Sequence, residues 1–400
     1  MAKRIGVGIV GAGFVAKFHI RSWVGVRDAD IVAIASRRKE KAEEAARLAR
    51  ALDVGEARAY DDVAAMVRDP QVDAVWICAP NDVRIEVMEA IADAGKGKLA
   101  GVACEKPLAR NVREANRMVE LSKGFLTGYL ENQVFMPALA RGKEILWRRG
   151  AALAGRPYLA RCAEEHGGPH EPWFWSGRRQ GVGVLNDMMC HSLEAARHLL
   201  TTPGTRDLAP ASVTSETATL KWSRPAYAKR LKERTGGAVD FAAHPVEDFA
   251  RASVTWTTPE NLPVVTEATT SWSFVGPGLR LSFEAMGPEY SMQGNNLEGE
   301  LKVFFSREIR GAEGEDIVEK QTAEQGLMPV VADEEGAYGY TAENRHMVRR
   351  FLEGKEPDET FEDGLRVTQL LMTCYMAAER GQRLAFPPEG LDAFVPAVAK

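Results

Sequence analysis

Residues Ile5 to Val10 form a short, wholly apolar run that ends on Gly11-Ala12-Gly13-Phe14-Val15-Ala16 and passes directly into a stretch of helical period. A strand without a polar face must be covered on both sides. A Gly-x-Gly-x-x-Ala turn after such a strand lets backbone lie against a pyrophosphate at a helix N-terminus, although the same pattern also serves as a plain tight turn. Context decides between the two. Further apolar runs follow at 30–36 (DIVAIAS), 73–80 (DAVWICAP) and 99–107 (LAGVACEKP), separated by helical stretches such as RRKEKAEEAARLARAL at 37–52. This is the rhythm of a parallel sheet wrapped by helices, in which ligands bind at the carboxyl edge of the strands. Gly11, Gly13, Phe14 and Val15 are therefore candidate dinucleotide contacts.

The texture changes after Gly128. Residues 211–222, 250–258, 264–275 and 279–286 alternate apolar with polar side chains, as strands of an antiparallel sheet do. A second domain is expected there, giving a division into 1–128 and 129–400 for the 400-residue chain. The segment from Trp222 to Arg251 is too long for a hairpin turn and is expected to carry a short helix. Helical stretches at 340–354 and 362–381 close the sequence. Outward apolar positions in SWSFVGPGLRLSF, on an open sheet, would suit a homo-oligomer, dimer or tetramer, or could equally be covered by the C-terminal helices.

Charge and cysteine content narrow the function class. The 51 basic against 56 acidic residues leave a net charge of −5, which is no footprint for a polyanion, so no nucleic-acid partner is expected. No apolar run approaches the roughly 18 residues a bilayer-spanning helix needs, so no membrane association is expected. The opening looks superficially like a signal peptide, but Gly-x-Gly fills its centre and Lys17 ends it. Five cysteines, Cys78, Cys104, Cys162, Cys190 and Cys374, are odd in number and scattered without a CxxC. They suggest neither a disulfide framework nor a structural zinc, and a reducing cytoplasm fits them best.

At the end of the second apolar run an NAD enzyme usually places an acid for the ribose hydroxyls. This chain reads Ala35-Ser36-Arg37-Arg38 there. A hydroxyl and two guanidiniums suit a 2′-phosphate, so NADP is favoured over NAD; the alternative is that the two arginines simply begin a solvated helix.

Ala79-Pro80-Asn81 and Cys104-Glu105-Lys106-Pro107 follow the next two strands of the same sheet. GAGFVA, APN and EKP, in this order and at these intervals, resemble the Gfo/Idh/MocA family of glucose-fructose oxidoreductase and inositol dehydrogenase, over essentially the whole chain. The resemblance implies an α/β protein: an N-terminal Rossmann domain, then a C-terminal α/β domain with a large open, mainly antiparallel sheet. It also implies that Lys106 is the catalytic lysine and that Pro80, Asn81, Glu105 and Pro107 hold cofactor and loop. The family often has His where this chain has Arg84.

In the second domain Gly181-Val182-Gly183 leads into a helical stretch carrying Asp187 and His191, four apart and so on one helix face. By their residues alone the pair serve equally as a helix cap and a core histidine. The family carries Asp and His at this spacing after a GGG turn, aimed at a sugar or polyol. Oxidising an alcohol requires a base for the hydroxyl proton and a cation for the developing alkoxide. Imidazole suits His191 as the base and Lys106 as the cation, with the reverse assignment left open.

The loop from Glu164 to Trp175 gathers His166, His170, Glu171, Trp173 and Trp175 among Gly and Pro. His166, Trp173 and Trp175 are candidate walls of a polyol pocket, against a Trp-anchored structural loop. Gly167, Gly168 and Pro169 argue against a helical metal site, and none is assigned. Asn132 after the sixth strand is a further candidate substrate contact. Cys190 adjoins His191, but adjacent helical residues diverge, so it is not read as a nucleophile. The expected activity is an NAD(P)-dependent sugar or polyol oxidoreductase; the alternatives are a glycosidase that recycles its nicotinamide and a non-catalytic dinucleotide sensor.

Overall fold

Ile5–Val10 forms β1, every residue of it buried. It lies at the centre of a parallel six-stranded sheet with β2 (Ala29–Ala35), β3 (Arg58–Tyr60), β4 (Ala74–Ile77), β5 (Gly101–Glu105) and β6 (Leu126–Leu130), in the order β3-β2-β1-β4-β5-β6. That order reverses direction between β1 and β4, which opens a crevice at the carboxyl edge of the strands. The structure is a computed structural model that describes residues 4–299, 301–305 and 326–399. Among these no helix is long and apolar enough to cross a membrane.

The chain divides into two units, Met1–Pro137 with Glu335–Thr368, and Ala138–Glu334 with Gln369–Lys400. This differs from a single cut after residue 128, because the helix Tyr340–Leu352 belongs to the first unit. Its Met347, Val348 and Phe351 join the core of Ile9, Ile20, Trp23 and Trp76. Room for it is made by glycines on the sheet: a Cβ at Gly101 would lie 2.5 Å from the Phe351 ring, and one at Gly128 2.7 Å from Met347 Sδ.

The second unit is built on a seven-stranded sheet. Its strands are β7 (Leu159–Glu165), β8 (Ala209–Ala218), β9 (Phe249–Thr257), β10 (Pro263–Ser271), β11 (Arg280–Gly287), β12 (Tyr290–Asn295) and, after a separate hairpin, the short β15 (Leu384–Ala385). That hairpin pairs β13 (Leu301–Phe305) with β14 (Gly326–Val330). Every neighbour in the large sheet is antiparallel except β7 and β10, which run parallel. The helix Val184–Leu200, buried at every residue but His198, packs across β7, β9, β10 and β11.

Of the apolar positions expected to face outward, Val275, past the end of β10, is exposed, whereas those on β11 are turned in by its pleat. Leu281, Phe283 and Ala285 of β11 point inward. The other face carries charge, with Arg161 paired to Glu267 at 2.6 Å and Arg251 to Glu216 at 2.6 Å. Between β8 and β9 the chain makes the expected excursion, with a helix at Pro225–Arg234.

Candidate functional site

In the first unit the expected cofactor residues all lie at the carboxyl edge of the six-stranded sheet. Gly11 follows β1 with φ of +121°, and a Cβ there would sit 2.5 Å from the carbonyl oxygen of Cys78, just past β4. Only glycine allows that approach. Gly13 caps the helix Phe14–Ser22 (α1), whose first turn contains no acidic residue, and a Cβ on Gly13 would meet nothing within 4 Å. The sterically open helix start and the glycine cradle fit a dinucleotide pyrophosphate. Phe14 is exposed and Val15 half-buried beside it. At the end of β2, Ser36 accepts a hydrogen bond from the Arg38 amide at 3.4 Å. Arg37 and Arg38 are exposed, and among the described residues neither guanidinium has an ion pair or a hydrogen bond.

Past β4, Pro80 is half-buried and Asn81 buried. Arg84, the departure from the family's usual His, is 4% exposed and, among the described residues, hydrogen-bonds only to backbone carbonyls. Its Nε donates to Ala79 at 3.0 Å, and its terminal nitrogens donate to Glu105, to Pro107 and to Lys106, the last at 3.2 Å. Arg84 therefore stitches the end of β4 to the EKP turn that presents Lys106.

Glu105 proves to be held from within rather than turned out towards a ligand. Its Oε1 lies 2.9 Å from His19 Nε2, and its Oε2 accepts from the Lys106 amide at 3.0 Å. The other nitrogen of His19 meets Asn344, which also accepts from Trp76 Nε1 at 2.9 Å. Burial works to raise the Glu105 carboxyl, but the His19 hydrogen bond and the nearby Lys106 and Arg84 charges outweigh it and hold the group below its usual range. Asn132 is likewise engaged, its amide donating to the Tyr338 carbonyl at 2.7 Å, which makes it an anchor for the segment before Tyr340–Leu352.

In the second unit Asp187 and His191 lie one turn apart on Val184–Leu200 and are 5% and 4% exposed. Glu164, the last inward-facing residue of β7, stands with its Oε2 3.9 Å from His191 Nε2. The Cys190 thiol donates to the Asp187 carbonyl at 3.2 Å, in keeping with a packed side chain. Just past Glu164, His166 is buried and its Nδ1 accepts from the Gly168 amide at 3.0 Å, which leaves a proton for Nε2 in the neutral ring.

The tryptophans of this loop separate into two kinds. Trp173 is half-buried and stacks on Phe174 with centroids 3.9 Å apart. Trp175, expected as a pocket wall, is instead 3% exposed, donates to the Pro169 carbonyl at 3.0 Å and packs among Trp222, Phe241 and Trp272. Its indole anchors the loop, and its faces are used up by neighbours.

Sequence reasoning missed Glu247, which no motif marks. It is buried just before β9, and its Oε1 accepts from the amides of Gly183 and Leu185 at 3.0 and 3.1 Å and from the Tyr375 hydroxyl at 2.6 Å. Burial pushes its carboxyl up to about 7, against those hydrogen bonds. Val182, in the turn that these bonds hold, has φ of +118°, a conformation strained for a β-branched residue.

A pH dependence of stability follows. A folded-state value of about 7 lies above the unfolded value of 4.5, so the folded protein keeps a proton that the unfolded chain has lost in between. The stability that Glu247 contributes is complete below the unfolded value and is lost as pH rises through about 7, by about 3 kcal/mol in all. Urea unfolding of wild type and Glu247→Gln at roughly pH 5 and roughly pH 8 checks this. The wild type should lose about 3 kcal/mol more than the variant over that interval, whereas equal losses rule the effect out.

Residues 5–124 match the family model described as the oxidoreductase family with NAD-binding Rossmann fold, Gfo/Idh/MocA. A myo-inositol 2-dehydrogenase of Thermotoga maritima is 28% identical over 198 residues, 48% of this chain and 54% of the relative. A levoglucosan dehydrogenase of Pseudarthrobacter phenanthrenivorans is 29% identical over 213 residues, 50% of this chain and 52% of the relative. The chain thus spans about half the length of the curated relatives it matches. Among solved structures, GenD2 from gentamicin A biosynthesis in complex with NAD superposes with a TM-score of 0.76 at 21% identity, covering 96% of this chain and 97% of that one. Levoglucosan dehydrogenase in complex with NADH and levoglucosan gives a TM-score of 0.71 at 22% identity, covering 96% and 100%. Those two likenesses are of fold. With the glycine cradle, the EKP turn and the strand order already in place, residues 5–124 carry the NAD-binding Rossmann fold of the Gfo/Idh/MocA oxidoreductase family.

Proposed function

We propose that the protein is an NAD(P)-dependent oxidoreductase that interconverts a hydroxyl and a carbonyl on a sugar, sugar derivative or cyclic polyol. The observation that carries this reading is the seating of Lys106: Arg84 and Glu105 fix its backbone at the carboxyl edge of a dinucleotide-binding sheet. A bound nicotinamide would supply the hydride acceptor or donor. In the oxidative direction the imidazole of His191 takes the hydroxyl proton, with Glu164 stabilising the charge it gains. The Lys106 ammonium stabilises the alkoxide as it forms, and Asp187 accepts a hydrogen bond from a neighbouring hydroxyl. Trp173 and His166 contribute to substrate binding in this reading, while Trp175 and Asn132 hold the scaffold. Assembly as a homodimer or tetramer through the open second sheet belongs to the same reading, and a cytoplasmic location rests on the odd number of scattered cysteines.

NADP remains the proposed coenzyme, because Arg37 and Arg38 offer two exposed guanidiniums without a protein partner among the described residues. The test is reduced-nicotinamide absorbance with either coenzyme across a panel of sugars, polyols and glycosides. Turnover with NADP+ that outpaces NAD+ is expected. Arg37→Ala with Arg38→Ala should raise the KM for NADP+ by about 10–100-fold, the worth of a lost charged hydrogen bond, and leave that for NAD+ within about threefold. A wild type that prefers NAD+ overturns the coenzyme assignment. Flat absorbance with cleaved glycosides replaces the dehydrogenase by the recycling glycosidase, and coenzyme binding without any turnover replaces it by a sensor.

A further inference from the structure

Helices ordinarily begin with a side chain that caps their first free amides, and Ser, Thr, Asp or Asn supplies it from the N-cap position. The helix that carries Asp187 and His191 begins on Gly183, which has no side chain to offer. Its amides are satisfied from elsewhere in the unit. The Gly183 and Leu185 amides donate to Glu247 Oε1 at 3.0 and 3.1 Å, and the Val184 amide donates to the Glu247 carbonyl at 3.1 Å. The Asn186 amide donates to the Tyr375 hydroxyl at 3.2 Å, and that hydroxyl donates in turn to Glu247 Oε1 at 2.6 Å. The first intrahelical bond then runs from the Asp187 amide to the Gly183 carbonyl at 3.2 Å.

The glycine is part of the same device. A Cβ at position 183 would come within 2.9 Å of Glu247 Oε2, so the missing side chain makes space for the distant carboxylate. Both partners are enclosed, Glu247 at 7% and Tyr375 at 3% exposure, so water cannot readily take over their bonds.

We propose that Glu247 and Tyr375 are positioning residues: by capping four consecutive amides they fix the first turn of this helix and thereby the placement of Asp187 and His191. The functional part of this proposal rests on the oxidoreductase reading above. Asp187 is the first residue past the capped turn, so fraying there reaches it directly, and His191 follows one turn on. The rest of the helix is held by burial of Met188, Met189, Leu193, Ala196 and Leu199 against the sheet, independently of the cap. Loss of the cap is therefore a local displacement rather than unfolding. A displacement of about 1 Å at reacting groups costs about 100-fold in rate, and substrate binding that relies on other contacts suffers less.

The experiment follows the His191 imidazole by NMR of histidine-labelled protein, assigned with His191→Asn, in wild type, Glu247→Ala, Glu247→Gln and Tyr375→Phe, alongside kcat and KM. Glu247→Ala should shift the His191 resonances and lower kcat about 10–100-fold with KM changed by less than about threefold. Glu247→Gln keeps an acceptor oxygen for the same three donors and should restore both readings. Tyr375→Phe removes only one hydroxyl, folds more readily, and should produce a smaller change in the same direction. If Glu247→Ala does not fold, Tyr375→Phe against wild type decides. Wild-type resonances and kcat in every folded variant overturn the proposal. Should the wild type turn over no sugar, the oxidoreductase reading fails on its own, and the His191 resonances still decide whether the cap positions that side chain.

Discussion

Replacing Lys106 with Met is expected to lower kcat/KM by about a thousandfold, within the roughly 100- to 10,000-fold spread of lost charge stabilisation and proton transfer. Met keeps most of the aliphatic stem and removes the charge. The backbone around position 106 is fixed by bonds that the substitution does not touch, from Arg84 to the Lys106 carbonyl and from the Lys106 amide to Glu105. The unfolding midpoint should therefore stay within a few degrees of wild type, about what a change of 1 kcal/mol produces. The loss should fall on kcat more than on KM, since the alkoxide charge exists only in the transition state. His191→Asn should produce a comparable loss, and the pH profiles of the two variants separate their roles. The substitution that abolishes the acidic limb of kcat/KM has removed the base. Activity of Lys106→Met within threefold of wild type would remove this residue from the chemistry.

The first unit was legible because its physics is local. Strands buried on both faces must be apolar throughout, and the four runs read from the sequence are β1, β2, β4 and β5. The turn after β1 has to be glycine for a reason visible in three residues. The helix Tyr340–Leu352 was legible as a helix but not as a member of this unit. Its place depends on the space left by Gly101 and Gly128, more than two hundred residues earlier in the chain.

The second sheet shows how a functional residue hides an element. The strands β9 to β11 alternate, β8 is irregular beside a register shift between Pro210 and Ser212, and each was read. β7 was not, although it lies inside the sheet between β11 and β10. Its inward positions are Ala160, Cys162 and Glu164, so the apolar period ends on the carboxylate that faces His191. A site residue that breaks the local pattern is expected where chemistry overrides packing. The reverse holds for Trp175, whose composition suggests a sugar wall and whose packing makes it core. Glu247 and Tyr375 stand 128 positions apart, and their convergence on one helix end has no signature in either neighbourhood.

Arg84 is the residue whose loss should cost the most stability. In one dimension it is a departure from a family position; in the fold its guanidinium serves carbonyls on both sides of the β4–β5 junction. Arg84→Ala leaves those buried acceptors without their donor. A hydrogen bond to a charged group contributes about 1.5–3 kcal/mol, and because the bonds share one side chain their losses do not simply add, so a total of about 4 kcal/mol is expected. Arg84→Lys keeps the charge but presents a point rather than a planar fork, and should recover roughly half of the loss. Arg84→His, the residue more usual in the family, has two ring nitrogens and should fall between Lys and Ala at neutral pH. Urea unfolding measures the stability of each variant, and coenzyme affinity measures the state of the EKP turn in the protein that remains folded. Both should fall in the order Arg, Lys, His, Ala. A stable Arg84→Ala protein with wild-type coenzyme affinity would mean that Glu105 and the packing around it hold Lys106 unaided. In that case the substitution at this family position is neutral, and the stitch between the two strand ends is a consequence of the turn's geometry rather than its cause.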